Sequence, residues 1–241
     1  MRVADMLKQS VARLAVLEIA AAGGWWLCGA DGSAASEVWR FDNLERIGGY
    51  AVTVLGHPRL IDTPAGRAVE FNGVDDALFI DAHPLAGARA FTWEAIFRPE
   101  AGGQPEQRFF HLQERDAGTG RDTPARMLFE IRVIGGQWCL DSFVGSADAA
   151  RSRTLIDRAK VHSLGAWHHA AEVYDGHEFR NYVDGVEQEA SAVEFAPQGP
   201  GHSSIGVRIN KLFYFKGAMF LGRMTRRALA PAEFVKVEGL R

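Results

Sequence analysis

The chain has 241 residues, 47% of them hydrophobic and 24% charged, which is the balance of a folded protein with one large core. A formal charge of −3 provides no net attraction for a polyanion and argues against nucleic acid as a partner. The two cysteines, Cys28 and Cys139, stand in dissimilar contexts and are too few for a disulfide framework.

Residues 1–35 differ from the rest. Arg2, Lys8 and Arg13 precede the apolar run LAVLEIAAAGGWWLCGA and the small-residue stretch GSAAS, in the order of a secretory signal. Glu18 interrupts that run, and Val3, Leu7, Val11 and Leu14 fall at helical spacing, so an amphipathic helix stays open as the other reading. The run is too short and too interrupted for a membrane span. Residues 1–35 are therefore expected to be a signal-like or anchoring segment. Through it the protein would be extracytoplasmic, or associated with a membrane or a larger complex.

From Val38 onward, short runs of Val, Phe, Ile and Trp alternate with Gly, Pro, Asp and Asn. The pattern predicts eleven strands, over 51–55, 68–71, 77–80, 91–98, 108–113, 127–134, 137–144, 167–174, 178–183, 203–209 and 216–224. Pro231 is placed to open a short terminal helix. No strand–helix alternation is present, so residues 36–241 are expected to form one all-β, antiparallel two-sheet sandwich. Two strands are joined by Asp175-Gly176 and closed by Asp184-Gly185, which marks 167–185 as a hairpin.

Several motifs lie in register with a known family. Phe71-Asn-Gly-Val-Asp-Asp, then Phe91-Thr-Trp-Glu-Ala-Ile-Phe-Arg-Pro, resembles the opening of laminin-G-like, concanavalin A-like jelly-roll domains. Trp167-x-His169-Ala-Ala171 with Tyr174-Asp-Gly and Tyr182-Val-Asp-Gly is similar too, as are Phe215-Lys-Gly217 and the run from Arg227 to Phe234. The resemblance implies a jelly-roll β-sandwich. It leaves function open, because lectins, adhesion modules, glycosidases and lyases share this fold.

Alternation along each strand nominates the groups on its outer side. Phe91, Trp93, Ala95 and Phe97 inward leave Glu94 and Arg98 outward. Phe110 and Leu112 inward leave His111 and Gln113 outward, and Met127, Phe129, Ile131 and Val133 inward leave Arg126, Glu130 and Arg132 outward. Ile205, Val207 and Ile209 inward leave Arg208 and Asn210; Phe213 and Phe215 inward leave Tyr214 and Lys216. In the hairpin, Glu172, Arg180 and Tyr182 read as outward.

If these strands share the concave sheet, Glu130, Arg132, Arg208, Asn210, Tyr214 and Lys216 form a ligand-binding face. Its arginines suit the carboxylates of an acidic polysaccharide. The expectation is a non-catalytic module that binds carbohydrate or another extracellular ligand. A structural or adhesion subunit attached through residues 1–35 is a further reading. The same residues also resemble polysaccharide lyases of the alginate-lyase type, on Phe129-Glu130-Ile-Arg132, His111-Leu-Gln113 and Tyr214-Phe-Lys216-Gly217. That resemblance implies β-elimination on a polyuronate, with Arg132 and Gln113 neutralising the carboxylate and His111 and Tyr214 moving protons. No Glu-x-Asp-x-x-Glu run is present for a retaining glycosidase, which leaves Glu94 with Glu130 as a carboxylate pair to check. No cofactor motif occurs. Asp75 and Asp76, in a turn where some laminin-G-like domains place calcium, are the candidates for a structural calcium ion.

Overall fold

The computed structural model describes residues 36–240; Cys28 and the signal-like or anchoring reading of residues 1–35 lie outside the described residues. In chain order the strands are β1 (Ser36–Arg40), β2 (Arg46–Ile47), β3 (Tyr50–Leu55), β4 (Arg59–Thr63), β5 (Gly66–Asn72), β6 (Ala77–Ile80), β7 (Phe91–Pro99), β8 (Glu106–Arg115) and β9 (Asp122–Ile134). They continue as β10 (Gln137–Gly145), β11 (Arg153–Ile156), β12 (His162–Ser163), β13 (His168–Tyr174), β14 (Glu178–Val183), β15 (Val186–Ala192), β16 (Gly201–Ile205) and β17 (Lys216–Thr225). One antiparallel sheet of eight strands runs β15-β14-β13-β7-β17-β5-β4, with β1 also on β17. The other, of nine, runs β11-β10-β9-β8-β16-β6-β3-β2, with β12 on β10.

The inward sets pack face to face as alternation requires. Phe97 stacks on Phe109 with ring centroids 4.2 Å apart, Phe109 stacks on Phe129 at 5.3 Å, and Trp93 meets Phe110 edge-on at 4.9 Å. Aromatic pairs of this kind contribute about 0.5–1.5 kcal/mol each beyond area burial. The outer face of the eight-stranded sheet is covered as well. Val237 and Leu240 pack on Ile96, Trp167, Ala218 and Leu221, while Leu229 and Phe234 pack on Ala171, Val173 and Tyr182. Pro231–Glu233 forms one 3₁₀ turn within that covering segment rather than the start of a longer helix.

The hairpin is β13 and β14. Asp175 caps its turn by accepting the N–H groups of His177 and Glu178 at 2.9 Å. Asp184 and Gly185 take φ of 49° and 81°, a pair that Asp and Gly tolerate. The strands not foreseen, β1, β2, β4, β11, β12 and β15, are short or polar. Val186–Ala192, with the sequence VEQEASA, lies at a sheet end and need not alternate.

One outward assignment is corrected. Glu172 pairs across the strands with Trp93 and lies in phase with Ala170 and Tyr174, which places it between the sheets. It is 0% exposed, and among the described residues neither carboxylate oxygen nor the Trp93 indole N–H has a partner in hydrogen-bond geometry. Burial drives its pKa well above the carboxylate range, while the nearby Ser142 hydroxyl works against that. A carboxyl whose folded pKa is raised binds its proton more tightly when folded. Its stabilising effect is full below the unfolded pKa and is lost as pH rises toward the folded value. Glu172→Gln is expected to flatten this decline, which can reach about 1.4 kcal/mol per pH unit. Thermal unfolding at pH 5 and pH 8 measures it, and an unchanged pH dependence would contradict a buried neutral acid.

Candidate functional site

The outer face of the nine-stranded sheet carries successive, mostly polar rows that cross neighbouring strands. The first is His202, Gln113, Arg126 and Gly145; the second is Ser204, His111, Leu128 and Phe143. The third is Arg108, Glu130 and Asp141, and the fourth is Glu106, Arg132 and Cys139. His111, Gln113, Glu130 and Arg132 therefore share one face, as alternation indicated. Simple alternation from Phe110 would send Arg108 into the core. A register shift between Arg108 and Phe110 instead turns both Phe109 and Phe110 inward and Arg108 outward.

The third and fourth rows form a closed ion network. Arg108 Nη2 meets Glu130 Oε2 at 2.8 Å and its Nη1 meets Glu106 at 3.1 Å. Arg132 Nη2 lies 2.6 Å from Asp141 Oδ2 and 3.4 Å from Glu130, and Nη1 pairs with Glu106. Burial pushes the Glu130 carboxyl up to about 7, and the Asp141 charge adds to this against the pull of Arg108 and Arg132. Three carboxylates face two guanidiniums, so a proton on Glu130 near neutral pH brings the network to balance. Cys139, beside Arg132 in register, is buried, which raises its thiol pKa.

Residues 206–215 leave β16 and return along β8. Gly206 N–H donates to Phe109 O at 3.0 Å and Arg108 N–H to Phe213 O at 2.9 Å. The loop carries Arg208, partly buried, and Asn210, exposed at its tip. Phe213 is not inward as expected. It adopts φ 63° and its ring lies 3.9 Å from the Arg108 guanidinium carbon, on the outer side. Phe215 is in the core as expected, but the strand expected over 203–209 ends at Ile205.

The other candidates separate. Tyr214 lies near Asp75; burial and that charge both raise its phenol. Lys216, paired with Asn72 in the eight-stranded sheet, lines a 310 Å³ cleft with Arg59, Glu70 and Glu100. Gln113 Nε2 is committed to the carbonyls of Thr123 and Ala125 at 2.7 and 2.8 Å. Glu94 and Glu130 belong to different sheets, so they do not pair. Glu94 instead accepts from His169 Nε2 at 3.0 Å, from Arg223 Nε at 2.5 Å and from Val235 N–H at 2.7 Å. Burial alone would raise it, but these donors hold it below its usual value. His168 and His169 lie on opposite sides of β13, with His168 tied to Asp184 at 2.9 Å.

The Asp75–Asp76 turn does not fit a calcium ion. Asp76 Oδ1 and Oδ2 accept the backbone N–H groups of His57 and Asn72 at 2.7 and 3.0 Å, and Asp75 Oδ1 accepts the Asn72 amide at 2.7 Å. Among the described residues, no three His, Cys, Asp or Glu side chains cluster as a metal site. Two further clefts, of 430 and 450 Å³, lie beside His169 and beside Trp167, under or against the C-terminal segment. No described helix is long and apolar enough to cross a membrane.

Residues 72–234 match the family described as the concanavalin A-like lectin/glucanases superfamily. The chain belongs to that superfamily. A sequence relative is mouse pappalysin-1, 29% identical over 133 residues, which cover 54% of this chain and 8% of pappalysin-1. Among solved structures, domain 4 of AbnA, an extracellular arabinanase from Geobacillus stearothermophilus in complex with arabinotriose, is similar at a TM-score of 0.59 and 20% identity. The likeness covers 82% of this chain and 94% of that one. The botulinum neurotoxin serotype D ligand-binding domain in complex with N-acetylneuraminic acid matches at 0.57 and 10% identity, covering 81% of this chain and 48% of that one. At these identities the likeness is one of fold.

In this superfamily member the ion network is expected to act as scaffold. Arg108→Ala strands a buried Glu130 and should lower stability by about 3–5 kcal/mol, whereas Arg208→Ala should change it by less than about 0.5 kcal/mol. Denaturant unfolding of both variants distinguishes them. Two equally small losses would show that the network does not hold the face.

Proposed function

We propose that this domain is a non-catalytic module that binds carbohydrate outside the cytoplasm, on the outer face of its nine-stranded sheet. The observation that carries the reading is how the face's ionisable groups are committed. Arg132 is clamped by three carboxylates yet remains partly open to solvent, with its side chain 16% exposed. A planar guanidinium already fixed in place can be matched by sugar hydroxyls with little further ordering. The arabinanase domain and the neurotoxin domain, whose structures contain arabinotriose and N-acetylneuraminic acid, support the reading through their shared fold.

The finer proposal is an acidic polysaccharide, with Arg208 as the carboxylate fork, the committed Arg132 meeting neutral sugar hydroxyls at its exposed edge, Glu130 behind it and Asn210 at the loop tip. Tyr214 and Lys216 would contact only a ligand that runs off the sheet toward Asp75. Residues 1–35 would attach the module to a membrane or a larger assembly. β-Elimination is the second reading, and the commitments of its groups favour binding over it: Gln113 is spent on backbone carbonyls, and Arg132 on Asp141 and the two glutamates.

Electrophoresis through gels containing a panel of glycans tests the proposal. Retardation by at least one glycan is expected, weakened several-fold in Arg208→Ala and Arg132→Ala and unchanged in Lys216→Ala. Retardation lost only in Lys216→Ala would move the site to the opposite sheet. Incubation with alginate and other polyuronates is expected to give no absorbance from unsaturated uronates; a rise would establish the lyase in place of the binding module.

A further inference from the structure

The basic end of the polar face holds hydrogen-bond donors that nothing in the described chain satisfies. His111 is 1% exposed, and its Nδ1 accepts the Ile209 N–H at 3.0 Å. The neutral ring must then carry its proton on Nε2, and among the described residues that N–H has no partner in hydrogen-bond geometry. Burial, followed by the charges of Arg208 and Arg126, holds the imidazole well below its usual range, while the neighbouring Gln113 pulls the other way. The ring is therefore a neutral donor at physiological pH.

Arg126 stands one row away. Its Nη1 donates to Pro124 O at 3.0 Å and its guanidinium lies over the Phe143 ring at 4.5 Å, but its buried Nε has no partner. Burial and then the Arg208 charge lower its pKa and Glu130 works the other way, so the two guanidiniums are close enough to repel. Among the described residues neither forms an ion pair with a carboxylate. Buried donors are nearly always satisfied, and a group of them with like charge and no acceptor calls for a specific explanation.

The loop that brings Arg208 here is itself strained. Lys211 and Phe213 adopt φ of 62° and 63°, a left-handed conformation that costs non-glycine residues free energy. Phe213 is held there by the Arg108 N–H on its carbonyl and by the Arg108 guanidinium on its ring. Strain of this kind persists where surrounding contacts over-determine the backbone, and it collects at binding sites.

We infer that Arg126, Arg208 and the Nε2–H of His111 form a subsite for a single oxyanion, the carboxylate of a uronic acid or the sulfate of a sulfated sugar. A guanidinium fork takes two oxygens of such a group and the imidazole N–H reaches a third contact. Glu130 lies four residues along β9 from Arg126, roughly 13 Å at strand rise. There the carboxylate-rich network disfavours a second anion, so the face matches one charged sugar flanked by neutral ones. As part of a polymer site the inference rests on the glycan-binding reading; the affinity for a small oxyanion stands apart from it.

Long-range proton–nitrogen NMR of the histidine rings in the full chain tests it directly, with sodium sulfate or galacturonate added at constant ionic strength. A saturable shift of the His111 Nε2 signal is expected with at least one of them, weakened roughly tenfold or more by Arg126→Gln or Arg208→Gln. The preferred small anion identifies the charged group. Arg208→Gln is expected to keep or raise the melting temperature without ligand, because it removes a like charge. In parallel, polygalacturonate, a sulfated galactan and neutral arabinan are cast in gels. No saturable His111 shift with either anion, or a shift undiminished in both variants, overturns the subsite, and retardation by arabinan would then leave the glycan reading standing. A saturable shift with no gel retarding the protein keeps the subsite and overturns the glycan reading.

Discussion

The extra residue in β8, between Arg108 and Phe110, is the constraint on which the rest of the structure depends. It seats two consecutive phenylalanines in the core, where they meet Phe97, Trp93 and Phe129. It also turns Arg108 outward onto Glu130, where an unbulged strand would bury the guanidinium among aromatic rings. The same place is where β16 departs from β8. Gly206 takes φ 82° there, and a Cβ would lie 2.4 Å from the Phe71 ring, so only glycine allows the chain to leave at this point. The excursion starts on Phe109 and returns on Arg108, which ties core, ion network and loop to one irregularity.

How much of this was legible follows from what alternation encodes. Period-two patterning assigns a side, and it put His111, Gln113, Glu130 and Arg132 on one face because apolar residues flank His111, Glu130 and Arg132 on both sides and Leu112 precedes Gln113. It does not say which sheet a strand joins. Lys216 therefore read as a neighbour of Glu130, although β17 pairs with β5 and β7 in the other sheet. It also assumes that polar residues face water. Glu172 broke that assumption by lying in phase with Ala170 and Tyr174, and the flanking residues were the signal that could have placed it. The Phe213 backbone broke it in reverse, since a positive φ at phenylalanine is set by contacts from Arg108, a strand away.

The face divides its charges unevenly, and the division has a physical sense. Glu106, Glu130 and Asp141 between them pair with both Arg108 and Arg132, so that half is a rigid frame whose removal in part costs more than its presence contributes. At the other end, Arg126 and Arg208 stand as like charges beside a neutral imidazole, and burial with the Arg208 charge lowers the pKa of Arg126 and of His111 against the pull of Glu130 and Gln113. A scaffold that pairs one set of buried guanidiniums with carboxylates while leaving the adjoining basic groups without any resembles a stability cost accepted for a site.

The C-terminal segment bears on the same question from the far side. By laying Leu229, Phe234, Val237 and Leu240 over the eight-stranded sheet, it removes that sheet's central apolar surface from solvent and satisfies Glu94 through Val235. Even His169, beside a cleft, is bound to a fully buried carboxylate. A fold shared at 10–20% identity with domains whose structures contain different sugars cannot itself set a sugar preference. Preference has to come from side chains, and the partnerless donors of His111 and Arg126 lie on the nine-stranded sheet, in residues that belong to this chain rather than to the architecture.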